Sequence, residues 1–271
     1  MDEFKTPQKK NDLKQFIKNN YADLIGSGIS GTLSLFSAVD PFVGFLAGPA
    51  GVIVSGTLKG IGKDIKERQL SPREDFRVGK VLAIAALEIH QRIENGESLR
   101  NDGFFDKKPT GRSEAGEIAE AIMLKCQREP QEKKIPYMGY LKAGIAFDSN
   151  ISADMGHQLI KIAEQSTYRQ FCILKLVVVK DHFGLRSQDY RNLEQFSQEL
   201  YQVLQECHDL CLKGCLDYKI PLTYSGEIAV SYMNMQPNGM TIQKIGEDLF
   251  KLMNLSSILD EDVILIANLL K

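Results

Sequence analysis

The segment from Leu24 to Gly62 constrains the fold most, because it is almost free of charge. Its 39 residues include two charged side chains, Asp40 and Lys59, and nine of the chain's 22 glycines. Charged residues make up 25% of the whole chain, so the segment differs clearly from its surroundings. A long apolar stretch of this kind is either buried in the core or enters a membrane.

Asp40-Pro41 divides this segment into two halves, because proline disfavours helix in the residue before it. The simplest prediction is therefore a glycine-rich helical hairpin. Small residues recur at four-residue spacing in the second half, and this spacing lets helix backbones approach closely, as in membrane helix interfaces. The residues predicted to be membrane-active or to pack helices are Gly44, Gly48, Gly51, Gly56 and Gly60, with Asp40 and Pro41 at the turn.

Basic residues flank the segment on both sides, which fits a hairpin that enters and leaves a membrane from its cytoplasmic face. Each half, at about 16 helical residues, reaches only about 24 Å, whereas a hydrocarbon core is about 30 Å thick. Full spanning would require a thinner bilayer or oligomerisation. A conditional membrane hairpin and a buried core hairpin both stay open. The flanking residues are Lys10, Lys14 and Lys18 on one side and Lys59, Lys63 and Lys66 on the other.

Helix start and stop signals are clear in the rest of the chain. Ser71-Pro72-Arg73-Glu74 has the residues of a capping box, and Asn95-Gly96 marks the end of the helix that it begins. Ser113 begins another helix. Further helices are predicted from Pro7 to about Tyr21 and over residues 133–147, 152–165, 167–180, 188–216, 245–253 and 258–270.

The pattern changes near the carboxyl end, where residues 228–235 are β-prone and Gln236-Pro-Asn-Gly239 is a turn signal before residues 240–243. The predicted fold class is therefore mainly α, a multi-helix bundle with an N-terminal glycine-rich helical hairpin and a small C-terminal β-hairpin. With the helices over 152–180, this hairpin is compatible with a winged-helix-like module. The predicted domains are 1–70 (basic helix and hairpin), 71–216 (helical body) and 217–271 (β-hairpin and helices).

Two glycine motifs resemble phosphate-binding loops but lack the required context. Gly26-x-Gly28-x-x-Gly31 matches the dinucleotide pattern literally, yet no strand precedes it and no acidic residue lies about 20 positions later. The stretch from Gly56 to Asp64 departs from a P-loop in its spacing and has Asp64 where Ser or Thr must bind magnesium. We therefore expect no nucleotide cofactor.

Cys207, Cys211 and Cys215 recur every four residues, with His208 beside the first. Such residues lie along one stripe of a helix and cannot surround a tetrahedral ion without a second element. A cysteine-lined core seam is the main interpretation, because free cysteine behaves as a small hydrophobe. A metal or redox site is the weaker alternative. No protease, esterase or kinase signature is found, so we expect a non-enzymatic protein without a cofactor.

Composition narrows the partners and the compartment. The net charge of −2 predicts no general attraction to nucleic acid. Five cysteines, an odd number, do not predict a disulfide framework, and the polar amino terminus predicts no signal peptide. We therefore expect a cytoplasmic protein that is peripheral to the membrane or inserts conditionally into it.

Three segments carry a family resemblance: Arg128 to Phe147, Leu159 to Leu174, and Met240-Thr-x-x-x-Ile-Gly246-x-x-Leu-Phe. In this order they resemble bacterial proteins of the Abi-alpha type and related families found near phage-defence genes. The resemblance covers about residues 113–253 and excludes the glycine-rich segment. It implies a bacterial protein in an abortive-infection context, and it provides no catalytic residues.

These features together predict a non-enzymatic bacterial defence protein. Its helical body would sense or bind a protein partner or a second copy of the chain, and its N-terminal hairpin would conditionally associate with the inner membrane or perturb it. The alternative is a soluble helical interaction or regulatory protein in which the hairpin is buried core.

Overall fold

The computed structural model describes residues 70–109, 111–193, 195, 197–218 and 232–271. These residues are mainly helical, with eight α-helices and one small antiparallel sheet among them, which confirms the predicted fold class. The predicted N-terminal helix and the glycine-rich hairpin lie outside the described residues.

Two compact units divide at the bond between Glu164 and Gln165. We call them unit 1 and unit 2. Unit 1 contains α1 (Pro72–Glu94), α2 (Glu114–Gln127), α3 (Ile135–Phe147) and α4 (Ala153–Gln165), whose last residue is the first of unit 2. Unit 2 contains α5 (Tyr168–Val179), α6 (Gln198–Leu212), β1 (Leu216–Asp217), β2 (Thr241–Ile242), α7 (Lys244–Leu252) and α8 (Asp260–Leu269).

The capping signals place the helices as predicted. The Ser71 hydroxyl accepts a hydrogen bond from the Glu74 N–H, and the Glu74 carboxylate accepts one from the Ser71 N–H at 2.9 Å, which completes the capping box. This exposed carboxyl has its pKa lowered to about 2, mainly by the Ser71 hydroxyl. α1 ends before Asn95, and Gly96 has the positive φ of 87° that a helix stop favours.

Close packing of α1 on α3 forms the centre of unit 1. The two helices run in the same direction, because Arg73 contacts Glu132 just before α3 and the Arg92 guanidinium lies 4.1 Å from the ring centre of Phe147 at its end. Midway along, Gly139 allows the approach, since a Cβ at this position would lie 2.9 Å from Cβ of Ile84. The adjoining core includes Val78, Leu82, Ile89, Met123 and Ala143.

The helix predicted over residues 188–216 is shorter in the structure. α6 begins at Gln198, because Ser197 is its N-cap and its hydroxyl accepts a bond from the Leu200 N–H at 3.1 Å. Before it, the Asp189 carboxylate accepts bonds from the backbone and side chain of Arg191, a local pairing that competes with helix. At the other end, Gly214 adopts a positive φ of 70° and leads into β1.

The small sheet is confirmed, but its strand pairing differs from the prediction. β1 pairs antiparallel with β2, so that Leu216 lies opposite Ile242 and Asp217 opposite Thr241. Tyr232–Asn234 forms a 3₁₀ turn instead of the expected strand, and residues 228–231 lie outside the described range. The predicted turn is present as a second 3₁₀ turn, Pro237–Gly239.

Candidate functional site

The residues predicted to act at a membrane stay predictions, because all of them lie outside the described part of the chain. Across the described residues, no helix combines the length and the apolar character that crossing a membrane requires. The predicted positions are Gly44, Gly48, Gly51, Gly56, Gly60, Asp40 and Pro41, with the flanking Lys10, Lys14, Lys18, Lys59, Lys63 and Lys66.

The three clustered cysteines lie along the inner side of α6 and the turn after it. Cys207 and Cys215 are fully buried, and Cys211 is half-buried. Cys207 shares its buried face with Val203, Leu204 and Leu210. The cysteines therefore contribute to the core of unit 2, as the core interpretation predicts.

Burial keeps these thiols protonated at neutral pH. It raises the pKa of Cys211 to about 12 and that of Cys215 to about 11, and it raises the pKa of Cys207 further. The thiolate is the nucleophile and the metal ligand, so raised values disfavour both kinds of chemistry. In the described ranges, no group of three or more His, Cys, Asp and Glu side chains is placed to hold a metal ion.

His208 is directed to a different neighbour. Its Nδ1 lies 3.2 Å from the Tyr218 hydroxyl, and the two rings meet edge to face with centres 6.3 Å apart. His208 follows Cys207 in the sequence, but its ring contacts Tyr218.

A polar network joins the start of α5 to α6. Gln170, which is 2% exposed, completes a capping box with Thr167 and donates to the Asp209 carboxylate at 2.6 Å. Lys213 donates to the same carboxylate at 2.6 Å, and Glu206 accepts from the Thr167 hydroxyl at 3.1 Å. Hydrogen bonds between charged and neutral partners of this kind fix helix orientation. The network therefore ties the start of α5 to α6.

Three cations of unit 2 are engaged in contacts within the unit. Arg169 donates to Glu206 at 2.6 Å. The Lys175 amine contacts the carbonyl of Ile258 and the Asp260 carboxylate, and the Lys180 amine donates to the Asn238 carbonyl at 2.9 Å. These three side chains therefore connect elements of unit 2.

Unit 1 buries several charged side chains that the sequence alone did not identify as buried. Arg77, only 9% exposed, has its Nε 3.7 Å from Oε1 of Glu132 and donates from Nη1 to the Gln127 carbonyl. Lys80 is 1% exposed, and its burial lowers its pKa to about 8 against the opposing influence of Glu132. Lys134 is held by the Glu129 carboxylate at 2.5 Å.

Lys142 is the most isolated of these cations. It is 7% exposed on α3, and burial alone lowers its pKa to about 8. A sequence signal exists, since Lys142 stands among apolar residues in Leu141-Lys-Ala-Gly-Ile-Ala146. Lysine rarely lies fully buried, which sets this position apart from an ordinary surface lysine.

Comparison of the chain with protein-family models, with curated proteins and with solved structures finds no match.

Proposed function

We propose that this chain is a non-enzymatic helical protein whose glycine-rich segment, residues 24–62, conditionally associates with the cytoplasmic face of a bacterial membrane. The observation that carries the proposal is the composition of this segment, which has two charges in 39 residues and lysines on both sides. Apolar surface of this extent favours lipid or a protein core, and basic flanks favour the anionic surface of the cytoplasmic leaflet.

The described part of the chain is compatible with a role in binding. Its clustered cysteines are buried and protonated at neutral pH, and its polar network is structural, as described above. Unit 2 exposes three leucines at 64% or more, which is compatible with contact to a protein partner or to a second copy. These are Leu212, Leu259 and Leu265. Together with the resemblance to abortive-infection proteins, they support a defence protein whose body responds to a partner.

The test is sedimentation of the full chain with vesicles of phosphatidylethanolamine and phosphatidylglycerol, combined with leakage of a trapped dye. We expect the native chain to sediment with the vesicles and to release the dye. A double variant with Phe45→Lys and Val54→Lys should lose both activities, because a charge in hydrocarbon costs about 3 kcal/mol per lysine. Lys161→Gln, a change at an exposed lysine of α4, is the matched control and should behave as the native chain does.

The opposite outcome would favour the buried-core alternative. In that case the native chain stays in the supernatant, residues 24–62 resist protease without detergent, and the double lysine variant lowers the unfolding temperature of the helical body. If the chain binds membranes, replacement of Lys10, Lys14 and Lys18 by glutamine separates the contribution of the basic flank from that of the apolar segment. It should weaken binding to anionic vesicles while leaving the unfolding temperature unchanged.

A further inference from the structure

The last helix, α8, has an apolar face towards the core and a second apolar patch towards the outside. It packs on α5 and α6 with its buried residues Val263, Ile266 and Ala267. On the other side, Ile264 and Leu265 are exposed at 42% and 68%. Single exposed apolar side chains are common on protein surfaces, whereas adjacent ones on one helix face are typical of a contact surface.

These two residues lie in the middle of a stripe that continues along the helix. Glu261 and Asn268 are also exposed, and with Ile264 and Leu265 they follow the i, i+3, i+4, i+7 spacing of one helix face. Lys271 lies just after the helix ends, and its amine donates to the Asn268 side-chain oxygen at 2.8 Å, which holds it beside this face. We call these five residues the α8 stripe.

One end of the α8 stripe is acidic and the other is basic. The acids on either side of its first residue are engaged within unit 2, since Asp260 accepts from the Lys175 amine at 2.7 Å and Asp262 from the Tyr168 hydroxyl at 2.8 Å. The Glu261 carboxylate has no such partner among the described residues. The stripe therefore offers an unpaired negative charge at its start and a positive charge about 15 Å away at its end.

This order of charges is complementary to a second copy of the same stripe that runs in the opposite direction. In an antiparallel pair of α8 helices about a two-fold axis, Glu261 of each copy lies opposite Lys271 of the other, and both copies of Leu265 lie beside the axis. We propose that two copies of the chain associate through the α8 stripe in this way.

The middle and the ends of the stripe have different roles in the pair. Burial of Ile264 and Leu265 supplies most of the affinity, because exposed ion pairs contribute little. The charges set the direction, since a parallel pair would bring like charges together. One helix per copy buries little surface, so we expect a weak dimer. This inference goes beyond the proposed function, since it concerns unit 2 whether or not residues 24–62 bind lipid.

Sedimentation equilibrium of the full chain in detergent-free buffer tests the inference. The native chain should change from monomer towards dimer as its concentration rises from about 1 to about 100 µM. Leu265→Lys should weaken association by about tenfold or more, because it places two like charges beside the two-fold axis. Leu212→Lys makes the same change at a leucine that is 74% exposed elsewhere in unit 2, so it is the matched control and should associate as the native chain does.

Charge reversal tests the direction of the pairing. Glu261→Lys and Lys271→Glu should each weaken association by about threefold or more, because each brings two pairs of like charges together. An equal mixture of these two single variants should regain the association of the native chain, since every lysine of one variant then lies opposite a glutamate of the other. The variant that carries both changes should also associate as the native chain does.

The mixture and the double variant also exclude a simpler role for the two charges. An acid at the start of α8 and a base at its end suit the dipole of the helix itself. If that were their only role, the double variant would associate least and mixing the single variants would restore nothing, and either result overturns the inference.

Two results with the apolar positions overturn it as well. A native chain that stays monomeric at every concentration would mean that another occupant, such as residues 24–62 or a different protein, covers the stripe. A Leu265→Lys variant that associates like the native chain would place the contact on another surface. If Leu265→Lys does not fold, the charge variants decide alone, because they change only exposed ends of the stripe. Vesicle binding enters none of these measurements, so the proposed function can fail independently.

Discussion

Units 1 and 2 bury lysine in different ways. In unit 1, Lys142 is 7% exposed on a buried helix, and burial lowers its pKa to about 8. In unit 2, Lys175 is equally buried at 7% exposure, but its amine contacts the Ile258 carbonyl at 2.6 Å and the Asp260 carboxylate at 2.7 Å. The Lys175 amine therefore connects α5 to the start of α8. We expect the partner of a buried charge, more than its burial, to decide the effect of the charge on stability.

The two units also differ in the atoms that a Cβ added to their most closely packed glycine would contact. In unit 2, a Cβ on Gly246 would lie 2.2 Å from the carbonyl oxygen of Cys215, which is backbone and cannot rotate away. In unit 1, a Cβ on Gly139 would lie 2.9 Å from Cβ of Ile84 and 3.0 Å from the Val81 carbonyl oxygen. Both glycines allow two elements to approach closely. The contact at Gly246 can adjust less, because it meets backbone at a shorter distance.

Gly246→Ala should give the largest loss of stability. The added methyl group forces α7 away from β1, and overpacking against backbone of this severity should lower the free energy of unfolding by about 4 kcal/mol. Urea unfolding, with exchange of α7 amides to localise the effect, measures it. Gly239→Ala is the control, because its nearest neighbour would lie 3.7 Å away, and this variant should lose less than about 0.5 kcal/mol. Equal losses of stability in Gly246→Ala and Gly239→Ala would contradict the close approach of Gly246 to the Cys215 carbonyl oxygen.

Gly139→Ala should give the second-largest effect, in unit 1. Alanine gains about 1 kcal/mol of helix propensity over glycine, so a net loss of about 2 kcal/mol would reveal the contact between α1 and α3. Thermal unfolding of Gly139→Ala and of Gly156→Ala measures the difference in stability between them. A Cβ at Gly156 would meet the terminal Cδ1 of Ile118 at 2.8 Å. That side-chain end can rotate, so Gly156→Ala should cost less. A stabilised Gly139→Ala would show that the two helices do not pack closely here.

The sequence predicted the elements whose signals are local. Ser71, Ser113 and Thr167 each begin a helix as N-caps, because a hydroxyl that accepts from a nearby N–H needs no tertiary contact. The segment before Ser197 was assigned to a helix because its composition permits one. Its side chains instead bond their own backbone, an alternative that helix periodicity does not reveal.

The candidate site depended on tertiary contacts, so the sequence predicted less of it. Four-residue spacing indicated buried cysteines, and Cys207 on α6 and Cys215 in the turn after it are buried, whereas Cys211 is half-buried. The pairing of Lys175 with Asp260 joins residues 85 positions apart, and no local pattern indicates it. Lys142 has a local signal, because apolar residues surround it in the sequence, but its depth depends on the helices that pack against α3.

Lys175→Met should give the smallest of these three effects. Methionine keeps the apolar stem but leaves the Ile258 carbonyl without its donor, so the unfolding equilibrium constant of unit 2 should rise about tenfold. Lys175 also lowers the pKa of Asp260, which makes a contribution to stability that is present above pH 3.8 and is lost as the pH falls through the lowered value.

Lys175→Met should therefore also weaken the loss of stability in acid, whereas Lys161→Met should leave it unchanged. Urea unfolding at pH 7 and pH 3 measures both effects in one series. If Lys175→Met instead stabilised unit 2, the contacts of the Lys175 amine would not offset the penalty for burying it.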